Sequence, residues 1–296
     1  MKGALMLDFI VNPKAGTIKG KKLKKVMRKL EERLIEKNVP YTIHKTNYKG
    51  HGKVLTENLI TAGATDIIAI GGDGTLHEIL NGFHSFDKCN LGLIPCGTGN
   101  DFAGICGLSK DPVEALEIIL KNEPKFTDYM QLPTARGMNV AGTGLDVSVL
   151  QRYEKLKRKT KFAYTMCLIK TVFNFKGVEF DIEANGETKH FHSFIAGVCN
   201  GDRFGGGIKI CPTAQVDDGK INFVGVNHVK GIFAIVKEFL RLKKGKILES
   251  PNATAIVSDK IKVITKDPAI VNLDGELYEG IPFEVEVVSN TLKMHR

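Results

Sequence analysis

Apolar residues over the first 127 positions fall into two alternating rhythms. Runs at 5–11, 41–45, 66–70 and 91–95 read as strands, and the β-branched, continuously apolar stretch at 66–70 suits a strand buried on both faces of a parallel sheet. Between them, segments 19–37, 52–62, 75–83, 100–106 and 112–121 carry apolar residues at helical spacing. In 19–37 the inward face is Leu23, Val26, Leu30 and Leu34. Segment 112–121 opens with Asp111, Pro112 and Glu114, which supply a cap, a proline at the first helical position and a capping-box glutamate. This alternation predicts an α/β domain with a parallel, Rossmann-like sheet covered on both sides. Near Asp128 the rhythm changes to short β-type runs at 138–141, 178–184, 190–198, 221–226, 253–257, 261–265, 270–273 and 283–288. Asn185-Gly186 joins two of them as a hairpin turn, and helices are expected only at 160–175 and 230–242. The second half therefore reads as an antiparallel β-sandwich or barrel.

Ligands of open α/β sheets bind beyond the carboxyl ends of the strands. Three glycine-punctuated loops, 12–16, 71–75 and 97–101, follow predicted strands and so share that edge. In Gly71-Gly72-Asp73-Gly74 the glycines permit positive φ and close approach of another molecule, and the following helix N-terminus suits phosphate. A carboxylate there repels phosphate unless a divalent cation or its water shell lies between them. The other reading of Asp73 is a helix cap in an ordinary tight turn. Known templates fail: the spacing after Gly16 is not that of a Walker loop, Phe102 and His77 break the dinucleotide fingerprint, and the histidines lack metal-ligand spacing.

Composition narrows the classes. The chain has 296 residues, 43% hydrophobic and 25% charged, as in an ordinary globular protein of two domains. Six cysteines without a CxxC pair predict reduced thiols and a cytoplasmic setting, with neither a signal peptide nor a membrane span. The net charge of +9 concentrates in 19–37, 152–161 and 237–246. Each cluster alone reads as a solvated face; together they point to a negatively charged partner such as a nucleotide or an anionic membrane. Nucleic acid is not expected, because Trp is absent and no aromatic-and-basic stripe is present.

The strings "NPKAG" at 12–16, "GGDGTLHEILNG" at 71–82, "PCGTGNDFA" at 95–103, "VDDGKI" at 216–221 and "NLDGE" at 272–276 resemble, in order and spacing, the diacylglycerol kinase catalytic-domain family. The likeness spans essentially the whole chain. NAD kinases and phosphofructokinases share GGDG, but GTGND and LDGE separate the chain from both. Sphingosine and ceramide kinases are related: His77-Glu78 resembles their form, whereas GTGND resembles the diacylglycerol kinase form.

The resemblance implies a nucleotide domain over 1–127, a β-sandwich lipid domain over 128–285, and a terminal strand at about 286–296 that returns to the first domain. It implies transfer of the γ-phosphoryl of ATP to a lipid hydroxyl, diacylglycerol first, sphingosine or ceramide next, NAD last. ATP contacts map to Asn12, Pro13, Lys14, Ala15, Gly16, Thr46, Gly72, Asp73, Gly74, Thr75, Leu76, His77, Glu78 and Thr98. Glu276 maps to the catalytic base with Asp274 beside it, although LDGE is also good turn sequence. Asp73 and Asp101 map to acids that organise the nucleotide and its metal-linked water. Gln215, Asp218 and Lys220 map to a structural Mg2+ site, the first and last through backbone carbonyls. The expected partner is lipid at an anionic membrane surface, met peripherally; a homodimer is among the oligomeric states left open.

Overall fold

A computed structural model describes residues 6–16, 18–157, 160–266 and 270–296. Leu5 of the strand expected at 5–11, and Arg158 and Lys159 of the basic segment 152–161, lie outside the described residues. The chain divides into two units, Met1–Thr127 with Ser289–Arg296, and Asp128–Val288.

The first unit runs β1 (Leu7–Val11), α1 (Lys21–Glu36), β2 (Tyr41–Lys45), α2 (His51–Thr61), β3 (Asp66–Gly71), α3 (Asp73–Leu80), β4 (Asn90–Pro95), α4 (Asp101–Ile105), α5 (Pro112–Lys121) and β5 (Lys125–Phe126). Among the described residues its sheet has the order β2-β1-β3-β4, then a terminal strand Lys293–His295, then β5. The pairs from β2 to the terminal strand are parallel, and β5 is antiparallel. β1 and β3 are buried along their whole length. Leu23, Leu30 and Leu34 of α1 pack with Leu7, Phe9, Ile68, Ile70 and the Ala115–Leu116 pair of α5, while the lysines of α1 face outward. Asp111 caps α5 by accepting from the Val113 and Glu114 amides, but Glu114 accepts the Ser109 hydroxyl at 2.5 Å, so its carboxylate turns to Ser109 and not to the expected capping-box amide.

The terminal strand is fastened by a buried polar contact. His295 Nε2 lies 2.8 Å from Asp66 Oδ1, which also accepts from Asn90 Nδ2 at 2.9 Å. The final residues thus tie together β3 and β4.

The second unit contains β6 (Tyr129–Gln131), β7 (Arg136–Gly137), β8 (Val140–Gly144), α6 (Leu145–Glu154), α7 (Lys161–Val172), β9 (Val178–Ala184), β10 (Glu187–Cys199), β11 (Arg203–Phe204), β12 (Ile208–Lys209), β13 (Ile221–Asn227), α8 (Ile232–Lys243), β14 (Ala253–Ser258), β15 (Lys260–Thr265), β16 (Val271–Leu273), β17 (Glu276–Tyr278) and β18 (Phe283–Val288). The main sheet is antiparallel throughout, as the sequence pattern predicts. Its strands alternate between two cores: Ala196 and Val198 of β10 and Ile221 and Phe223 of β13 enter one, and Ile195, Cys199, Val224 and Val226 enter the other. Asn185 and Gly186 both have positive φ and make the expected tight hairpin.

Helix α6 departs from expectation. Its β-branched Val147 and Val149 disfavour a helix locally, yet burial of Leu145, Val147, Val149 and Leu150 overrides that preference. The strand expected at 138–141 is displaced to Val140–Gly144, directly before it.

His295→Ala should leave Asp66 buried with a partner removed. Loss of about 3 kcal/mol in chemical denaturation is expected, as for breaking a buried pair. An unchanged midpoint would mean that the strand is held by its backbone pairing, buried Leu292 and Met294 and the Arg296 contacts without help from His295.

Candidate active site

The loops after β1, β3 and β4 meet backbone to backbone. A Cβ on Gly16 would lie 2.5 Å from the Gly97 carbonyl carbon, and one on Gly97 would lie 2.4 Å from the Gly72 Cα. No side chain fits at these contacts. Only Gly16 needs glycine for its dihedral as well, with φ +55°; Gly71, Gly72 and Gly74 avoid the left-handed region, so close approach and not positive φ explains Gly72. Asn100, itself at φ +54°, closes the third loop by accepting from Gly97 N at 2.9 Å and donating to Gly97 O at 3.1 Å. Asn12 donates to Thr75 Oγ1 at 3.2 Å and accepts from Lys14 N at 3.0 Å, which joins the first loop to α3. Pro13, Ala15 and Thr98 are half-buried along this edge, Thr46 is buried after β2, and Lys14 is exposed. A cavity of about 510 Å³ opens beside Pro13, with Leu23, Met27 and Ile43 among its walls and Lys24, Arg28 and Lys45 contributing positive charge.

The carboxylates of this edge bind backbone amides. Asp73 is the first residue of α3, two positions before the start expected from the sequence, and so is not on a bare loop. Its Oδ2 accepts from Asp101 N and its Oδ1 from Phe102 N, both at 3.2 Å, so it caps α4 from the first turn of α3. Glu78 does the same for α2, accepting from Gly50 N at 2.8 Å and Gly52 N at 2.9 Å. Asp101, Thr75, Leu76 and His77 are buried, and Gly74 is exposed. The His77 ring lies 3.5 Å from Asn81 Nδ2 on its own helix. The side chains of Leu76 and His77 are thus turned into the protein and away from the edge.

In the second unit β16 and β17 form a hairpin with Asp274 (φ +54°) and Gly275 (φ +95°) at its turn. Asp274 accepts three amides, Met138 N at 2.6 Å, Asn139 N at 3.0 Å and Val140 N at 3.0 Å. That makes Asp274 the anchor of the turn, and Glu276 follows it half-buried. Burial, with the charges of Glu276 and Asp274 adding to it, pushes the Tyr278 hydroxyl up to about 12, so it remains a neutral donor.

Two residues not singled out from the sequence support this turn. Asn272 accepts from Gly275 N at 3.0 Å and donates to Asp146 Oδ2 at 3.2 Å. Asp146, near the start of α6, is raised to about 7 by burial, which amide and Asn272 hydrogen bonds only partly oppose. A lone aspartate after Gly-Thr-Gly carries no signal in a single sequence; its importance comes from burial.

Among the described residues no group of three or more His, Cys, Asp or Glu side chains could hold a metal ion. The turn at 215–220 offers a different donor set. Asp218 is exposed and accepts from Lys220 N at 2.9 Å, Gly219 has φ +71°, and buried Asp128 accepts from Gly219 N at 2.7 Å. Hard divalent cations take oxygen ligands, and Asp217 and Asp218 are the exposed carboxylates of this turn. Gln215 and Lys220 are exposed at its two ends.

The diacylglycerol kinase catalytic domain matches residues 6–132, and the YegS C-terminal NAD kinase beta sandwich-like domain matches residues 139–296. A Xanthomonas euvesicatoria protein named "Probable lipid kinase YegS-like" is 32% identical over 256 residues, 80% of each chain. YtlR of Bacillus subtilis, named a candidate lipid kinase, is 27% identical over 97% of this chain and 98% of its own. A solved Bacillus anthracis structure, described as a candidate diacylglycerol kinase, superposes with a TM-score of 0.81 at 24% identity, over 98% of this chain and 96% of the other, and shares the fold.

Asp146 binds its proton more tightly folded, at about 7 against an ordinary 3.8. Its contribution to stability is thus fully present below the ordinary value and is lost as pH rises toward 7, by roughly 4 kcal/mol at most. Asp146→Asn should flatten that fall in denaturation measured from pH 4 to 8. Parallel curves for the two proteins would show that Asp146 ionises normally.

Proposed function

Because the chain belongs to the diacylglycerol kinase catalytic-domain family, we propose that it is an ATP-dependent lipid kinase, with diacylglycerol as first acceptor and phosphatidic acid as product. The observation that carries this reading is the contact of Gly16, Gly72 and Gly97, which admits no side chain and so lets phosphates come close to the main chain there. Lys14, exposed on the same edge, steadies phosphate charge. Asp73 and Asp101 hold α4 and α3 in register beneath it. Glu276 accepts the proton of the lipid hydroxyl as oxygen attacks the γ-phosphorus, and Asp274 keeps its turn rigid. Magnesium carried with the nucleotide would supply the positive charge that lets phosphates come near Asp73 and Asp101.

Sphingosine or ceramide as acceptor is the second reading. His77 favoured it in the sequence, but its side chain is buried, which weakens that support. No helix among the described residues is long and apolar enough to cross a membrane.

Screening lipid classes with labelled ATP tests the activity directly: labelled phosphatidic acid is expected, and label in no lipid would overturn the reading. Glu276→Gln should lower kcat roughly 10²- to 10⁴-fold with nucleotide affinity little changed. Full turnover in that variant would return Glu276 to a turn residue. For the 215–220 turn, Mg2+ should raise the melting temperature of the wild type more than that of Asp218→Ala, since an ion stabilises only the state that binds it. Equal shifts would remove the ion from that turn.

A further inference from the structure

Helix α8 bears apolar side chains on two opposite faces. The inward face, Ile235, Phe239 and Leu242, packs on the core that holds Val226 and Ile247. Beside it Glu238 is buried and accepts from Arg241 Nη1 at 2.8 Å and Asn252 Nδ2 at 3.0 Å, while Arg241 also reaches Ser250 Oγ at 3.0 Å. These contacts fix the rotation of the helix about its axis.

The outward face cannot then be turned inward. Phe233 is 88% exposed, Leu240 46% and Val236 36%. Their spacing, i, i+3 and i+7, sets them in one stripe along the helix. Exposed Lys237, Lys243 and Lys244 accompany the stripe, and exposed Lys230 precedes the helix. Glu238 is the helix's one carboxylate, and it faces the core. Scattered exposed apolar residues are ordinary, but an aromatic tip, two aliphatic neighbours and uncompensated lysines on one face make a surface adapted to something apolar and anionic.

We propose that the outward face of α8 docks on an anionic lipid bilayer. Phe233, Val236 and Leu240 enter the boundary between headgroups and acyl chains, and the lysines lie against the headgroups. A second copy fits poorly, because an isologous contact would set this basic face against itself. The proposal rests on the lipid-kinase reading for its purpose, which is to hold the enzyme where its acceptor resides. It also changes the meaning of the 237–246 cluster: the lysines supply attraction, and the stripe supplies insertion.

The test uses the full chain and vesicles of phosphatidylcholine, with or without phosphatidylserine, containing diacylglycerol. Wild type should co-sediment with the anionic vesicles, less so as salt rises. Phe233→Ser with Leu240→Ser should weaken partitioning roughly ten- to hundredfold while keeping the salt dependence. Lys237→Glu with Lys244→Glu should weaken it by about fivefold or more per charge and flatten the salt dependence. Both variants should melt like the wild type and phosphorylate dispersed short-chain diacylglycerol at its rate, but lose activity on vesicles. Vesicle binding by either variant equal to wild type, or no vesicle binding by wild type, overturns the proposal. So does a wild-type dimer in sedimentation velocity that the serine variant dissociates, since that makes a second copy the occupant. A wild type that binds vesicles through α8 yet phosphorylates no lipid in either form would overturn the kinase reading alone.

Discussion

The mutual approach of Gly16, Gly72 and Gly97 is the constraint around which the first unit is arranged. Three main chains within van der Waals contact demand that β1, β3 and β4 end at one level, and parallel pairing of those strands delivers this. The close packing leaves no room for a side chain where the three loops touch. A methyl group at any of the three glycines would have to move backbone, the least yielding part of the molecule.

Acidic residues serve this arrangement in an unexpected way. Asp73, Glu78 and Asp274 spend their carboxylates on main-chain amides of distant segments. Each joins two elements that the chain does not connect directly: α3 to α4, α3 to α2, and the β16–β17 turn to the entry of β8. The Glu78 and Asp274 bonds, at 2.6–3.0 Å, are the tighter ones, and those of Asp73 are longer, both at 3.2 Å. Contrary to the tight-turn reading of the sequence, Asp73 does not cap its own helix; Gly72 holds that position, and the Asp73 carboxylate caps α4 instead.

Much of this was legible beforehand. The alternation of strand and helix, the common edge of three loops and the antiparallel second unit follow from periodicity and turn residues, which are local properties. What escaped was set by long-range packing. Helix α6 hides behind β-branched residues that prefer strands, and Asp146 stands out only once burial is known. Asn272 and Asn100 look like ordinary turn residues until their partners are seen. The outward stripe of α8 is equally invisible in one dimension, because which of its apolar residues stay exposed is decided by how the helix packs.

The place of the terminal strand bears on biosynthesis. Residues 293–295 pair with β4, whose last residue is Pro95, so β4 is made long before its neighbour exists. At about 5–20 residues per second, a ribosome leaves that strand edge without its partner for roughly 10–40 s. An uncovered apolar edge is a hazard for misassembly, and the whole second unit is synthesised during that wait. The first sheet thus gains its fifth strand only after the whole second unit has been made, so its completion waits on the synthesis of another domain.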